Sequence, residues 1–115
     1  MSQVILQALD TLAAIPGVRA AVAATQSDGL PAATVAAIGV DGDASAGTAR
    51  SQRPPARRAN RAAGYGETRH LALDAENGRL FVAAAGDLVL VILAERDAGA
   101  GLLRVALQRA LGDMA

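Results

Sequence analysis

The side chains of this sequence that could do chemistry are few and far apart. His70 is the single imidazole, and the chain contains no cysteine. A histidine that acts as a general base or metal ligand needs partners at defined spacing, and none is visible in the sequence around His70. We therefore interpret His70 as a surface or interface residue.

The composition excludes several further kinds of site. All eleven basic residues are arginine, so a phosphate-loop lysine, a Schiff-base lysine and a kinase-type ATP lysine are excluded. Without cysteine there is no thiol nucleophile, iron–sulfur cluster or thiolate zinc site. We expect a protein that is not an enzyme, with no cofactor and no metal ion.

Three short motifs come close to known sites but do not match them. Asp41 and Asp43 resemble the start of a calcium loop, yet Gln52 stands where that loop needs glutamate. Ser45 lacks the first glycine of a nucleophile elbow. The paired glycines at 64/66 and 99/101 lack the third glycine of a dinucleotide fingerprint. We expect caps and turns at these positions.

A local basic cluster is the strongest charged feature. It comprises Arg50, Arg53, Arg57, Arg58 and Arg61. No acidic residue lies between Asp43 and Glu67, so the cluster is either a solvated helix face or a contact for an acidic protein or phosphate. No aromatic residues are interleaved for base stacking, so we expect no nucleic-acid partner. All members except Arg58 are candidate partner-binding residues.

The first half of the chain is predicted to fold as a helix followed by a hairpin. Apolar residues recur at helical spacing up to Ile15, and Pro16-Gly17 ends that helix. Apolar segments at 18–25 and 30–40 flank a turn signal at Ser27-Asp28-Gly29. These segments predict two antiparallel strands.

The segment from 43 to 64 has the poorest patterning. Gly47 and Pro54-Pro55 interrupt it, and a proline inside a helix costs about 3 kcal/mol. We predict a weak or irregular helix in two pieces, with the prolines in the first turn of the second piece and Gly64 just past its end. A disordered or irregular connection is the alternative.

The last part of the chain is predicted to form three strands and a helix. Segments 68–74 and 79–85 flank a tight turn at Glu76-Asn77-Gly78. Segment 88–94 is apolar on both faces, so it should be a central strand covered on both sides. A final helix begins near Asp97.

Together these elements predict one domain over residues 1–115. The fold class is α+β, with a five-stranded antiparallel sheet between helices and the order α-β-β-α-β-β-β-α. The longest apolar run, Leu88 to Ala94, is too short to cross a membrane, and the first basic residue is Arg19. We expect a soluble, cytoplasmic protein without membrane insertion.

Four segments of the sequence form a recognisable set. They are Leu9 to Val18 (LDTLAAIPGV), Ala20 to Ala23 with Ser27 to Pro31, Asn77 to Leu80, and Gly86 to Leu93. In combination they resemble the roadblock (dynein light-chain-like) domain family, as found in bacterial regulators of Ras-like GTPases. The resemblance covers most of residues 3–112 and concerns fold motifs, not chemical ones.

The resemblance implies a roadblock/profilin-like fold and a non-enzymatic homodimer. Such domains scaffold or regulate a small Ras-like GTPase, and their second helix and third strand make the dimer interface. Carried over to this sequence, the interface residues are Arg58, Ala59, Ala62, Arg69, Leu71 and Leu73. The alternatives are a small-ligand sensor domain of similar fold, and a binder of an acidic partner through the cluster from Arg50 to Arg61.

Overall fold

The computed structural model describes residues 3–25, 31–36 and 42–114. These residues form helices α1 (Gln3–Ala13), α2 (Gly42–Ala62) and α3 (Ala100–Met114). They also form strands β1 (Val18–Thr25), β2 (Pro31–Ala36), β3 (His70–Ala75), β4 (Gly78–Ala85) and β5 (Leu88–Glu95). The turn predicted at Ser27-Asp28-Gly29 lies outside the described residues.

The strands form a single antiparallel sheet in the order β2-β1-β5-β4-β3. β5 is central, as its apolar sequence predicts, and Leu90, Val91 and Ile92 are fully buried. Successive side chains of a strand point to opposite faces, so these buried residues show that both faces of β5 are covered. β3 lies at one border of the sheet and pairs only with β4 among the described residues.

Helices cover the two faces of the sheet unequally. α1 and α3 pack on one face, where Leu9, Leu12, Leu103 and Leu107 join a large buried cluster. On the other face α2 contributes small side chains, Ala46 and Ala49, to a cluster of mostly valine and alanine. The face under α2 therefore has the thinner core.

α2 is one continuous helix, so the predicted break into two pieces is wrong. Pro54 and Pro55 lie inside the helix rather than in the first turn of a second piece. Both prolines are exposed, so the helical carbonyls that lose an N–H donor lie on the side where water can bind them. Ala46 and Ala49 pack the part before the prolines on the sheet, and Asn60 and Arg61 tie the part after them to Thr68 and Glu67, so contacts on both sides of the prolines hold the helix.

The end of α2 follows the sequence prediction. Gly64 has a φ of 79°, a left-handed conformation that suits glycine just past a helix end. Its N–H donates to the Arg61 carbonyl at 3.0 Å, and the Tyr65 N–H donates to the Asn60 carbonyl at 2.8 Å. This pair of bonds is a Schellman cap, which satisfies two of the last helical carbonyls.

Within the described ranges, no helix combines the length and the apolar character needed to cross a bilayer.

Candidate interaction surfaces

The border strand β3 presents apolar side chains on the face of the sheet that α2 covers. Leu71 and Leu73 lie opposite Val82 and Leu80 of the neighbouring strand β4. Both leucines are half-buried. Because β3 has no second neighbour in the described part of the chain, its outer backbone groups are available for pairing. This border is the structural feature that most resembles an interface.

A groove of about 460 Å³ opens beside this border. Leu73, Leu80 and Leu93 supply its apolar lining. Asp74 and Arg79 also line it and pair with each other, with Arg79 Nε 3.0 Å from Asp74 Oδ1. The groove is therefore an apolar surface, and the two charged side chains at its edge neutralise each other.

The end of α2 is tied to the segment that enters β3. Arg61 Nε donates to Glu67 Oε1 at 3.1 Å, and Arg57 Nη2 lies 3.6 Å from Glu67 Oε2. The hydrogen bond from Arg61, with the charge of both arginines, lowers the pKa of the Glu67 carboxyl. Glu67 therefore stays ionised well into the acidic range and keeps these contacts.

The six predicted interface residues lie on these two connected elements. Arg58, Ala59 and Ala62 are exposed on the second half of α2. Arg69 is exposed immediately before β3, and Leu71 and Leu73 are half-buried within it. The structure thus leaves all six side chains at least partly accessible in the single chain.

The basic cluster of α2 is less cationic than the sequence predicts. Arg50, Arg53, Arg57 and Arg61 are spaced three or four residues apart and share one side of the helix. Two of them contact Glu67, which follows the cluster in sequence and folds back onto it. Partial burial, with the neighbouring Arg57 charge, lowers the pKa of Arg53, but an arginine with such a shift remains a cation at neutral pH. Glu67 therefore neutralises part of the positive charge on this side of α2.

Sequence reasoning missed a second basic surface, around His70. Arg69, His70, Arg104 and Arg109 line one cavity of about 550 Å³ between β3 and α3. Burial and the Arg104 guanidinium lower the pKa of His70. Arg104 and Arg109 lie on the exposed side of α3, opposite the buried Leu103 and Leu107, but the sequence carries no signal for which strand that helix packs against.

The described residues contain no group of three His, Cys, Asp or Glu side chains that could hold a metal ion. The polar groups that do come together are mostly arginines, which act as hydrogen-bond donors to carboxylate and phosphate. Both surfaces can therefore donate hydrogen bonds to carboxylate or phosphate groups.

Comparisons with known proteins agree with this architecture. The family model described as Roadblock/LC7 domain matches residues 4–94. A solved Roadblock/LC7 domain from Streptomyces avermitilis superposes with a TM-score of 0.83 at 24% identity, covering 94% of this chain and 92% of that chain. No curated protein matches the chain by sequence.

Two structures of MglB are also similar. MglB from Myxococcus xanthus gives a TM-score of 0.84 at 15% identity, covering 97% of this chain and 85% of that one. The gliding protein MglB from Thermus thermophilus gives 0.83 at 19% identity, covering 98% and 87%. At these identities the likeness shows a shared fold.

Proposed function

The chain belongs to the Roadblock/LC7 domain family, and from this premise we propose that it is a non-enzymatic, homodimeric interaction module that scaffolds or regulates a small Ras-like GTPase. The observation that carries the proposal is the open border at β3, with Leu71 and Leu73 half-buried beside it. An exposed border strand with apolar side chains favours pairing with another chain.

Self-pairing at this border would join two five-stranded sheets into one. Two copies of β3 related by a two-fold axis would run antiparallel, and each would satisfy the other's outer backbone groups. Leu71 and Leu73 are already half-buried, so covering them in the dimer would add only part of the about 1.5 to 3 kcal/mol that full burial of a leucine contributes. The border thus sets the antiparallel orientation of the two chains, and its leucines contribute apolar burial to the proposed dimer.

The exposed half of α2 fits the same contact. Ala59 and Ala62 are small and exposed, so a partner chain can approach the helix closely. Arg58 lies beside them and can reach across such an interface with its long side chain. The contacts of Asn60 and Arg61 with Thr68 and Glu67 hold this half of α2 near β3.

A GTPase partner is supported by the family and by the character of the surfaces. The polar side of α2 that carries Arg50, Arg53, Arg57 and Arg61 is the proposed contact for an acidic patch of such a partner.

A small-ligand sensor is the second candidate function, because four basic side chains converge on the cavity around His70, between helix and sheet.

An affinity experiment tests the GTPase proposal. The immobilised chain is exposed to lysate of the source organism with GDP or a non-hydrolysable GTP analogue, and bound proteins are identified by mass spectrometry. We expect a Ras-like GTPase whose retention depends on the nucleotide. We also expect Arg50→Glu to reduce retention and Arg96→Glu, at the end of β5, to leave it unchanged. Retention of no GTPase with either nucleotide would contradict the proposal.

A further inference from the structure

The cavity around His70 is unusual in the balance of its charges. Arg69, Arg104 and Arg109 line it with His70 and the neutral residues Val105 and Gln108, and no acidic residue lines it. Arg57, Arg61 and Arg79 each lie within 4.0 Å of a carboxylate. Among the described residues, the three cavity arginines form no such ion pair. Arg69 belongs to the proposed dimer contact, but Arg104 and Arg109 lie outside it, so their positive charge is available to a ligand.

An apolar groove adjoins this cavity. It has a volume of about 260 Å³, runs between α1 and α3, and shares Val105 and Arg109 with the cavity. Leu102 and Val105 are 60% and 49% exposed, whereas Leu103 and Leu107 on the same helix are buried. α3 therefore presents a second, outward apolar strip beside the basic cavity.

We propose that this composite surface binds an acidic segment of a partner protein. Carboxylates of the segment face Arg104 and Arg109, and a neighbouring aliphatic side chain enters the groove at Leu102 and Val105. Guanidinium groups suit this role because their planar donors match a carboxylate in two parallel hydrogen bonds. The site goes beyond the proposed GTPase contact, because it lies on the α1/α3 face of the sheet and α2 lies on the other.

The apolar half of the surface selects the type of ligand. A free inorganic anion would use the arginines but would leave Leu102 and Val105 exposed to water. A nucleic acid would need aromatic residues on which to stack its bases, and no aromatic residue lines the cavity or the groove. A peptide that alternates acidic and aliphatic side chains uses both halves.

His70 gives the site a direct reporter. In the free protein, burial and Arg104 lower its pKa, and the other charged groups that line the cavity, Arg69 and Arg109, are cationic as well. A bound carboxylate acts in the opposite direction and raises that pKa. Because His70 is the only histidine, its ring signals in an NMR titration need no assignment.

The test is a selection of short random peptides on the full chain. We expect enrichment of peptides in which Asp or Glu alternates with Leu, Ile or Val, and we expect synthetic copies of them to raise the His70 pKa. Arg104→Glu combined with Arg109→Glu should weaken their binding at least about tenfold. Leu102→Asp should also weaken it, whereas the charge-matched variant Arg19→Glu with Arg96→Glu, which lies outside every proposed contact, should not.

Three results would overturn the proposal. The first is a selection without acidic enrichment, and the second is peptide binding that survives the reversal of Arg104 and Arg109 in a folded variant. The third is inorganic phosphate that raises the His70 pKa as much as the peptides do, with no effect of Leu102→Asp, which would indicate a small-anion site. None of these results bears on the dimer, because Arg104, Arg109 and Leu102 take no part in the proposed β3 contact.

Discussion

Asn60 Nδ2 donates a hydrogen bond to Thr68 Oγ1 across 2.7 Å, and this bond ties the last turn of α2 to the segment that enters β3. Both residues are partly buried, so the bond is shielded from water. Arg61 and Glu67 make a second, exposed link beside it. The two elements proposed to form the dimer contact are therefore held as one unit within each chain.

The Asn60–Thr68 bond should contribute measurably to stability. Asn60→Ala removes the donor and Thr68→Val the acceptor, and each should lower the free energy of unfolding by about 1 kcal/mol. Because the two side chains bond each other, the double variant should lose less than the sum of the two single losses. Urea denaturation of the four proteins measures this coupling. Strictly additive losses would show that the bond does not form in solution.

Gly17 should be intolerant of any side chain. Its φ is 91°, and an added Cβ would lie 2.9 Å from the Cβ of Ala98, so Gly17→Ala combines backbone strain with a clash. We expect it to lower the free energy of unfolding by about 2 to 4 kcal/mol. Gly47→Ala is the matched control, because that glycine lies in α2 with nothing within 4 Å.

For Gly47→Ala we expect a gain of about 0.5 to 1 kcal/mol, since alanine favours a helix over glycine. Thermal unfolding followed by circular dichroism compares the two variants. If Gly17→Ala leaves the melting temperature unchanged or raises it, the close packing of Gly17 on Ala98 is contradicted.

Removing the prolines from α2 should stabilise the protein. Pro54→Ala with Pro55→Ala restores two N–H donors inside a helix that is already continuous, so the free energy of unfolding should rise by about 1 to 3 kcal/mol. The helical circular dichroism signal should change little. A large gain in helical signal would show instead that the wild-type helix is broken at the prolines.

His70 should make stability depend on pH near neutrality. Its folded-state pKa lies below the ordinary value of 6.5, so the unfolded chain binds more protons between the two values. Its contribution is therefore complete above about pH 6.5 and is lost as the pH falls through the lowered pKa. His70→Gln should flatten the curve of unfolding free energy against pH in that window.

Glu67 provides the control for this titration. Its folded-state pKa also lies below its ordinary value, here 4.5, so its contribution is present above that value and is lost only at lower pH. Glu67→Gln should leave the window near neutrality unchanged. A slope near neutrality that persists in His70→Gln would assign it to other groups.

The β-strands of the second half were predictable because their signals are local. The turn predicted at Glu76-Asn77-Gly78 is confirmed, with Ala75 paired to Gly78 across it. The central position of β5 is also confirmed. It was predictable because a strand that is apolar on both faces is typically covered on both faces, as only an inner strand is. In both cases the sequence pattern and the tertiary environment favour the same structure.

The course of α2 and the cavity around His70 were not predictable in the same way. A proline pair usually ends a helix. Here both prolines are exposed, and tertiary contacts hold α2 before them, at Ala46 and Ala49, and after them, at Asn60. The meeting of His70 with Arg104 depends on which strand α3 packs against. This packing depends on contacts between distant parts of the chain, which the spacing of apolar residues within the helix does not predict.

Self-pairing at β3 is tested by the mass of the chain in solution, measured by size-exclusion chromatography with light scattering. We expect about twice the 11.5 kDa of one chain. We also expect Leu71→Asp with Leu73→Asp to give a folded monomer, and Leu102→Asp on the other face to stay dimeric. A wild-type mass of 11.5 kDa at micromolar concentration would contradict self-pairing at β3, and with it the proposed mode of action.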